Sequence, residues 1–153
     1  MRTVHRAFFS SFLAALLVAS LSPAGAQTTA FRRLAPADEY FGPLKMSVLG
    51  IRNTLHDEAV RLASERPEPT AAYAHANLVE RSVLDWEKKY PADRWLPRSV
   101  FDLQHLYAQI PSETSRRHAA EVATWLISRY PGSMEATQMR LELAQTAAST
   151  PDR

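Results

Sequence analysis

The chain contains no cysteine among its 153 residues. This absence excludes disulfide scaffolds, thiolate metal sites, cysteine nucleophiles and a lipid-modified N-terminal cysteine. Glycine is also scarce, with four residues, which leaves too few for a glycine-rich phosphate loop. Only three isoleucines and eight valines occur, and no Asn-Gly or Asp-Gly pair marks a tight hairpin. β-Structure therefore has little support in the sequence.

Prolines divide the chain into segments of helix length, because proline interrupts a helix and restricts the residue before it. In each segment, apolar residues recur at spacings of three and four, as a helix with one buried face requires. We expect an all-α domain of about five helices over residues 41–148, between a flexible segment at 27–40 and a loose C-terminus at 149–153. The expected N-caps are Thr70, Ser112 and Ser133. The third segment carries the apolar stripe Leu96, Val100, Leu103, Tyr107 and Ile110.

The first 26 residues have the three parts of a secretory signal peptide. Arg2 and Arg6 make a basic start, Ala7 to Leu21 forms an apolar stretch, and Ala24-Gly25-Ala26 is a small-residue cleavage site. The apolar stretch of 15 residues is shorter than the roughly 20 that a membrane-spanning helix needs. We therefore expect residues 1–26 to be cleaved and the protein to be exported to a bacterial periplasm or secreted. No stable membrane anchor is expected to remain.

Cleavage would also change the net charge, which is +2 for the whole chain. Both basic residues of the signal peptide leave and no acidic residue does, so 16 basic and 16 acidic side chains remain. A chain with balanced charge offers no global attraction for the phosphates of a nucleic acid. Nucleic acid is therefore not an expected partner.

Two Tyr-Pro pairs, Tyr90-Pro91 and Tyr130-Pro131, lie 40 residues apart and each follows a helical segment that ends in a base. A helix, a Tyr-Pro stop and a second amphipathic helix form the pattern of a helical hairpin. A single hairpin exposes an apolar face, so neighbouring hairpins must stack to bury it. The spacing predicts antiparallel helical hairpins stacked into a short superhelix with one concave side.

The segments Trp86–Asp93 and Trp125–Ser133 resemble the end of the second helix and the closing proline of tetratricopeptide-like repeats in bacterial envelope proteins. The resemblance covers about residues 70–148. Turns of this kind are common in outer-membrane assembly lipoproteins and in periplasmic cell-division coordinators. The resemblance implies a short solenoid of helical hairpins that holds a protein or peptide in its groove.

No residue cluster reaches the strength of a catalytic or metal-binding signature. The histidines show neither His-x-x-x-His nor His-Glu-x-x-His spacing, and consecutive side chains such as His56 and Asp57 point in different directions on a helix. Ser99, Ser112 and Ser128 lack the Gly-x-Ser-x-Gly context of a hydrolase nucleophile. We therefore expect no enzyme activity, no cofactor and no metal, and we interpret the chain as an interaction module for a protein or peptide.

The most unusual stretch of the sequence is Glu39–Leu55, in which a helical segment carries Gly50. Glycine inside a helix costs about 1 kcal/mol relative to alanine, so something is expected to pack close to the backbone there. Packing of one helix on another is the simpler interpretation, and a partner surface is the functional one. The candidate partner-binding residues of this stretch and of the start of the third segment are Lys45, Arg52, His56, Trp95 and Arg98.

Two alternatives stay open at this point. The region of Arg52, His56 and Trp95 can instead serve a small periplasmic enzyme or a ligand-binding protein. The exposed end of so short a stack can also pair two copies of the chain into a homo-oligomer, because terminal repeats need a cap.

We expect cleavage between Ala26 and Gln27 when the precursor is exported. Mass spectrometry of the exported protein checks this prediction, because the mature chain would begin at Gln27. A mature N-terminus at Met1 would contradict it.

Overall fold

The structure, a computed structural model, describes residues 34–149, so the predicted signal peptide and residues 150–153 lie outside the described part. Within that part the chain is helical and, apart from one isolated bridge between Phe41 and Met46, holds no β-structure. None of the helices there combines the length and the apolar character needed to cross a membrane. The all-α prediction is confirmed, with five helices: α1 (Val48–Glu65), α2 (Pro69–Lys89), α3 (Leu96–Gln109), α4 (Glu113–Arg129) and α5 (Met134–Ser149).

Two of the three predicted N-caps start helices. Ser112 caps α4, since its hydroxyl accepts a hydrogen bond from the Ser115 N–H at 3.1 Å. The Ser133 hydroxyl accepts one from the Ala136 N–H at 3.0 Å at the start of α5. The prediction for Thr70 is wrong, because α2 begins at Pro69 and the carboxylate of Glu68 caps it. Proline has no N–H to satisfy and a backbone angle suited to the first helical position, so the helix starts one residue earlier.

The third helix forms the centre of the core. α3 packs against all four other helices. Because four helices pack against it, α3 buries more of its surface than one apolar stripe. The predicted stripe is confirmed, and it is buried together with Phe101 and Leu106: the buried apolar residues from this segment are Leu96, Val100, Phe101, Leu103, Leu106, Tyr107 and Ile110.

A tight turn at Phe41–Met46 precedes α1, in a region that the sequence assigns to the helical domain. Phe41 and Met46 exchange two backbone hydrogen bonds, with N···O distances of 2.9 and 3.1 Å. The turn buries Phe41 completely against the aromatic rings of Trp86 and Tyr90, whose centroids lie 6.2 and 6.1 Å away. The turn thereby closes the core over the end of α2.

Residues 34–40 belong to the segment predicted to be flexible, and they lie against the end of α2. The backbone N–H of Ala35 donates to the Asp93 carboxylate at 2.8 Å. Glu39 accepts a hydrogen bond from the Tyr90 hydroxyl and lies 3.4 Å from the Lys89 ammonium. These bonds attach residues 34–40 to the first Tyr-Pro turn, and residues 27–33 lie outside the described part.

Close backbone packing occurs at Gly42 and not at Gly50. A Cβ atom on Gly50 would lie 3.4 Å from the hydroxyl of Ser47, the N-cap of its own helix, which is ordinary contact. The expectation of close packing at Gly50 is therefore wrong. Gly42 has a φ of +65°, and a Cβ there would lie 2.5 Å from the Cα atom of Ser82 on α2. The turn needs glycine at this position both for its backbone angle and for this approach.

Gly42→Ala is expected to lower the free energy of unfolding by about 2 to 4 kcal/mol, because it combines a left-handed backbone with a backbone clash. Gly132→Ala is the matched control, since nothing lies within 4 Å of a Cβ at that position. This control should change the free energy by less than about 1 kcal/mol. Urea unfolding followed by tryptophan fluorescence measures both. Equal stability of the two variants would contradict the close approach.

Candidate functional site

The first Tyr-Pro turn is organised around the buried carboxylate of Asp93. One oxygen accepts hydrogen bonds from the Trp86 indole N–H at 3.1 Å and from the Ala35 N–H at 2.8 Å. The other accepts one from the Trp95 backbone N–H at 3.0 Å. A buried carboxylate is tolerated when its lone pairs are satisfied in this way. The arrangement fixes the backbone of Trp95 at the start of α3.

Two of the predicted site residues meet at this point. The Arg52 guanidinium on α1 lies 4.5 Å from the centroid of the Trp95 ring, in cation–π contact. Trp95 is 37% exposed although it is a large apolar side chain. A pocket of about 280 Å³ adjoins the pair and is walled chiefly by apolar side chains: Leu34, Ala35, Ala37, Val48 and Leu49. We call this the Trp95 pocket.

The other three predicted residues lie outside the lining of the Trp95 pocket. Lys45 is exposed in the tight turn before α1, with a φ of 48°. His56 is exposed on α1, one helical turn beyond Arg52. Arg98 pairs with Asp102 at 3.1 Å on the surface of α3. A partner-binding role for all five residues stays a prediction, and the structure brings only Arg52 and Trp95 together.

A second polar cluster joins α2, α3 and α4 and was not predicted. Glu80 is 9% exposed, and one of its oxygens accepts a hydrogen bond from the Tyr107 hydroxyl at 2.7 Å. The same oxygen lies 2.8 Å from Nε2 of His118, whose Nδ1 lies 2.8 Å from Glu121. An imidazole that donates from both nitrogens is the charged form. The cluster is therefore an ion pair with a neutral tyrosine as an additional donor.

The charges around His118 favour the protonated form of its imidazole. Burial disfavours the charged ring, but the hydrogen bonds and the negative charges of Glu80 and Glu121 outweigh burial, so the pKa of His118 lies above its usual 6.5. Tyr73 and Tyr107 contact the ring edge-on, with centroids 5.9 and 4.6 Å away. Burial and the Glu80 carboxylate raise the pKa of Tyr107, which keeps its hydroxyl a donor. These bonds tie three helices together through one oxygen of Glu80.

The sequence did contain a signal for this cluster. Glu80 follows Ala76 by four residues and precedes Val83 by three, so it occupies a position of the buried stripe of α2. A carboxylate on a buried stripe requires donors from a facing helix. The facing donors, Tyr107 and His118, lie 27 and 38 residues from Glu80 in the sequence. Helical spacing alone therefore does not identify them.

The second Tyr-Pro turn repeats the bonding of the first. Tyr130 donates its hydroxyl to Glu87 on α2 at 2.6 Å, as Tyr90 donates to Glu39. The Trp125 indole N–H also donates to Glu87, at 3.1 Å, and burial with this carboxylate raises the pKa of Tyr130. Each Tyr-Pro tyrosine thus bonds to a glutamate of an earlier segment of the chain.

The described residues contain no group of three or more histidine, aspartate or glutamate side chains arranged to hold a metal ion. Their buried carboxylates are bonded to tryptophan, tyrosine and histidine side chains and to backbone N–H groups, as set out above. The Trp95 pocket is the place where two of the predicted site residues, Arg52 and Trp95, line an opening at the surface.

His118→Gln keeps a donor toward Glu80 but removes the charge. Because the pKa of His118 is raised in the folded state, the charge stabilises the fold fully below 6.5, and this contribution is lost as the pH rises through the folded-state pKa. We expect the variant to be destabilised relative to the native chain at about pH 5.5 and much less so at about pH 8.5. Urea unfolding at the two pH values measures this. His56→Gln, on an exposed face of α1, is the control. A loss that is equal at both pH values would contradict the ion pair.

Comparison with known proteins does not identify a family for this chain. No protein-family model, no curated protein and no solved structure matches this chain. The resemblance of residues 70–148 to tetratricopeptide-like repeats therefore stays a prediction from the Tyr-Pro motif. What the chain does must be inferred from the Trp95 pocket and the fold that supports it.

Proposed function

We propose that the chain is an exported helical-repeat protein of the cell envelope that binds a protein or peptide partner and carries out no catalysis. The observation that carries this proposal is the Trp95 pocket. Trp95 is held by Asp93, flanked by the Arg52 guanidinium, and bordered by Leu34 and Leu49, which are 45% and 62% exposed. Partly exposed tryptophan and arginine around an apolar pocket are the residues that most often dominate binding energy at protein interfaces.

The arrangement of the helices supports the stacked-hairpin part of the proposal. α3 packs against both α1 and α5, as the first helices of successive hairpins would pack. α2 and α4 are linked by side-chain bonds, from Glu80 to His118 and from Glu87 to Trp125. The two Tyr-Pro turns bond in the same way. Two rows of alternating helices are what a short solenoid of hairpins would show.

The Trp95 pocket suits an apolar side chain of a partner. Its volume is about 280 Å³ and its walls are chiefly apolar. A leucine or phenylalanine from a partner requires less space. The alternative, a small periplasmic enzyme or ligand-binding protein using Arg52, His56 and Trp95, would need His56 at the pocket, and His56 does not line it.

The test is capture from an envelope extract of the source organism by the immobilised protein and its variants. Leu49→Ala and Trp95→Ala should each reduce recovery of a specific protein at least about fivefold, because each removes apolar surface from the pocket. Leu143→Ala is the matched control, an exposed leucine on α5 that should capture as the native chain does. Leu49 is 62% exposed, so its truncation leaves the fold intact.

Equal capture by all variants would overturn the role of the pocket. Recovery of a bound small molecule with no protein partner would overturn the proposal in favour of the ligand-binding alternative. Mass spectrometry of the eluate distinguishes the two results.

A further inference from the structure

A groove runs along the two Tyr-Pro turns, next to the Trp95 pocket. It consists of two adjoining cavities of about 510 and 490 Å³ that share Pro91, Arg129 and Tyr130 in their walls. Asp93 lines both this groove and the Trp95 pocket, and the Arg94 guanidinium lies 5.1 Å from the centroid of the Trp95 ring. We call it the turn groove. It is continuous with the surface on which the proposed function depends.

The lining of the turn groove carries three cations and three carboxylates, and the exposed charges among them are the positive ones. Lys88, Arg94 and Arg129 line it with exposed side chains. Two of its three lining carboxylates, Glu87 and Asp93, are buried and already accept hydrogen bonds from tryptophan or tyrosine. Arg129 lies 3.8 Å from Glu87 and is 67% exposed, so most of its guanidinium remains available to solvent. Glu135 is the lining carboxylate that is not buried, and the negative charges of Glu87 and Asp93 lie beneath the three exposed cations.

Apolar side chains also line the turn groove. Leu84 and Met134 are 43% and 79% exposed, and Pro91, Pro97 and Pro131 add flat apolar rings. Such walls suit a chain that carries apolar side chains between its charges. Binding of a nucleic acid depends on neutralising many phosphates, and three exposed cations beside three lining carboxylates provide few such contacts.

We propose that the turn groove binds an acidic segment of the protein partner, with apolar side chains among its carboxylates. The carboxylates lie against Lys88, Arg94 and Arg129, and an adjoining apolar side chain enters the Trp95 pocket. This inference rests on the proposed function, because it names the chemistry of the partner that the Trp95 pocket would hold. Positive charge at the groove opposite negative charge on the segment also raises the association rate and selects against basic segments.

The experiment begins with short random peptides displayed on phage and selected on the purified protein. Selected peptides are expected to be enriched in aspartate and glutamate and depleted of lysine and arginine. The tightest is then synthesised with a fluorescent label, both as selected and with every acid replaced by its amide. Fluorescence polarisation should show that the amide version binds about tenfold more weakly, and that raising the ionic strength from about 0.05 to 0.3 M weakens the acidic version alone.

Two double variants with the same charge change isolate the groove. R94Q/R129Q should weaken binding of the acidic peptide about tenfold. R116Q/R117Q removes two exposed positive charges near the start of α4, about 18 Å along the helix from Arg129, and should leave binding unchanged. Peptide binding that is insensitive to R94Q/R129Q, or as tight for the amide version, would overturn the inference while the proposed function stands.

Other outcomes address the proposed function itself. If no peptide is selected that binds the native chain in solution, both the inference and the peptide-binding function fail. A single-stranded oligonucleotide that binds more tightly than any selected peptide, and loses affinity in R94Q/R129Q, would assign the groove to nucleic acid instead.

Discussion

The buried carboxylate of Asp93 is the interaction on which the first half of the structure depends. It joins the N-terminal segment through Ala35, the end of α2 through Trp86 and the start of α3 through Trp95. An unpaired buried carboxylate would cost several kcal/mol, so all three donors must be in place together. The hydrogen bond from the Trp95 N–H to the buried Asp93 carboxylate thus fixes the backbone position of this surface tryptophan.

The same principle recurs where α2, α3 and α4 meet. Apolar contacts hold the helices together but have no preferred direction, whereas hydrogen bonds to a buried carboxylate require one geometry. Glu80 and Glu87 each collect donors from α3 or α4, and in doing so they fix how α4 sits on α2. The chain has no cysteine, so no disulfide links its helices. The hydrogen bonds to these two glutamates specify the alignment of the helices instead.

Helical periodicity was enough to predict five helices, the buried stripe of α3 and the caps at Ser112 and Ser133, because these follow from contacts within one turn of helix. It was not enough for the turn at Phe41–Met46, whose glycine is required by Ser82, 40 residues away. Helical spacing also leads to a wrong expectation at Gly50, where a Cβ atom would make only ordinary contacts with Ser47 and Met46. Arg52 and Trp95 were selected by residue type, and only the packing of α1 on α3 shows that they meet. Lys45, His56 and Arg98 satisfied the same criterion and lie outside the pocket.

The candidate surface depends on long-range contacts that hold Trp95 in place. A flexible surface tryptophan loses conformational freedom on binding, and that loss opposes association. Trp95 has already lost much of it, because its backbone is bonded to Asp93 and its ring lies against two guanidinium groups. Arg52 and Arg94 are in turn restrained by the ring, so the positive charge beside the pocket is positioned before a partner arrives. An exposed aromatic residue that is already ordered loses little conformational entropy on binding, which suits a binding surface. Because the buried Asp93 carboxylate orders Trp95, the candidate surface lies at the first Tyr-Pro turn.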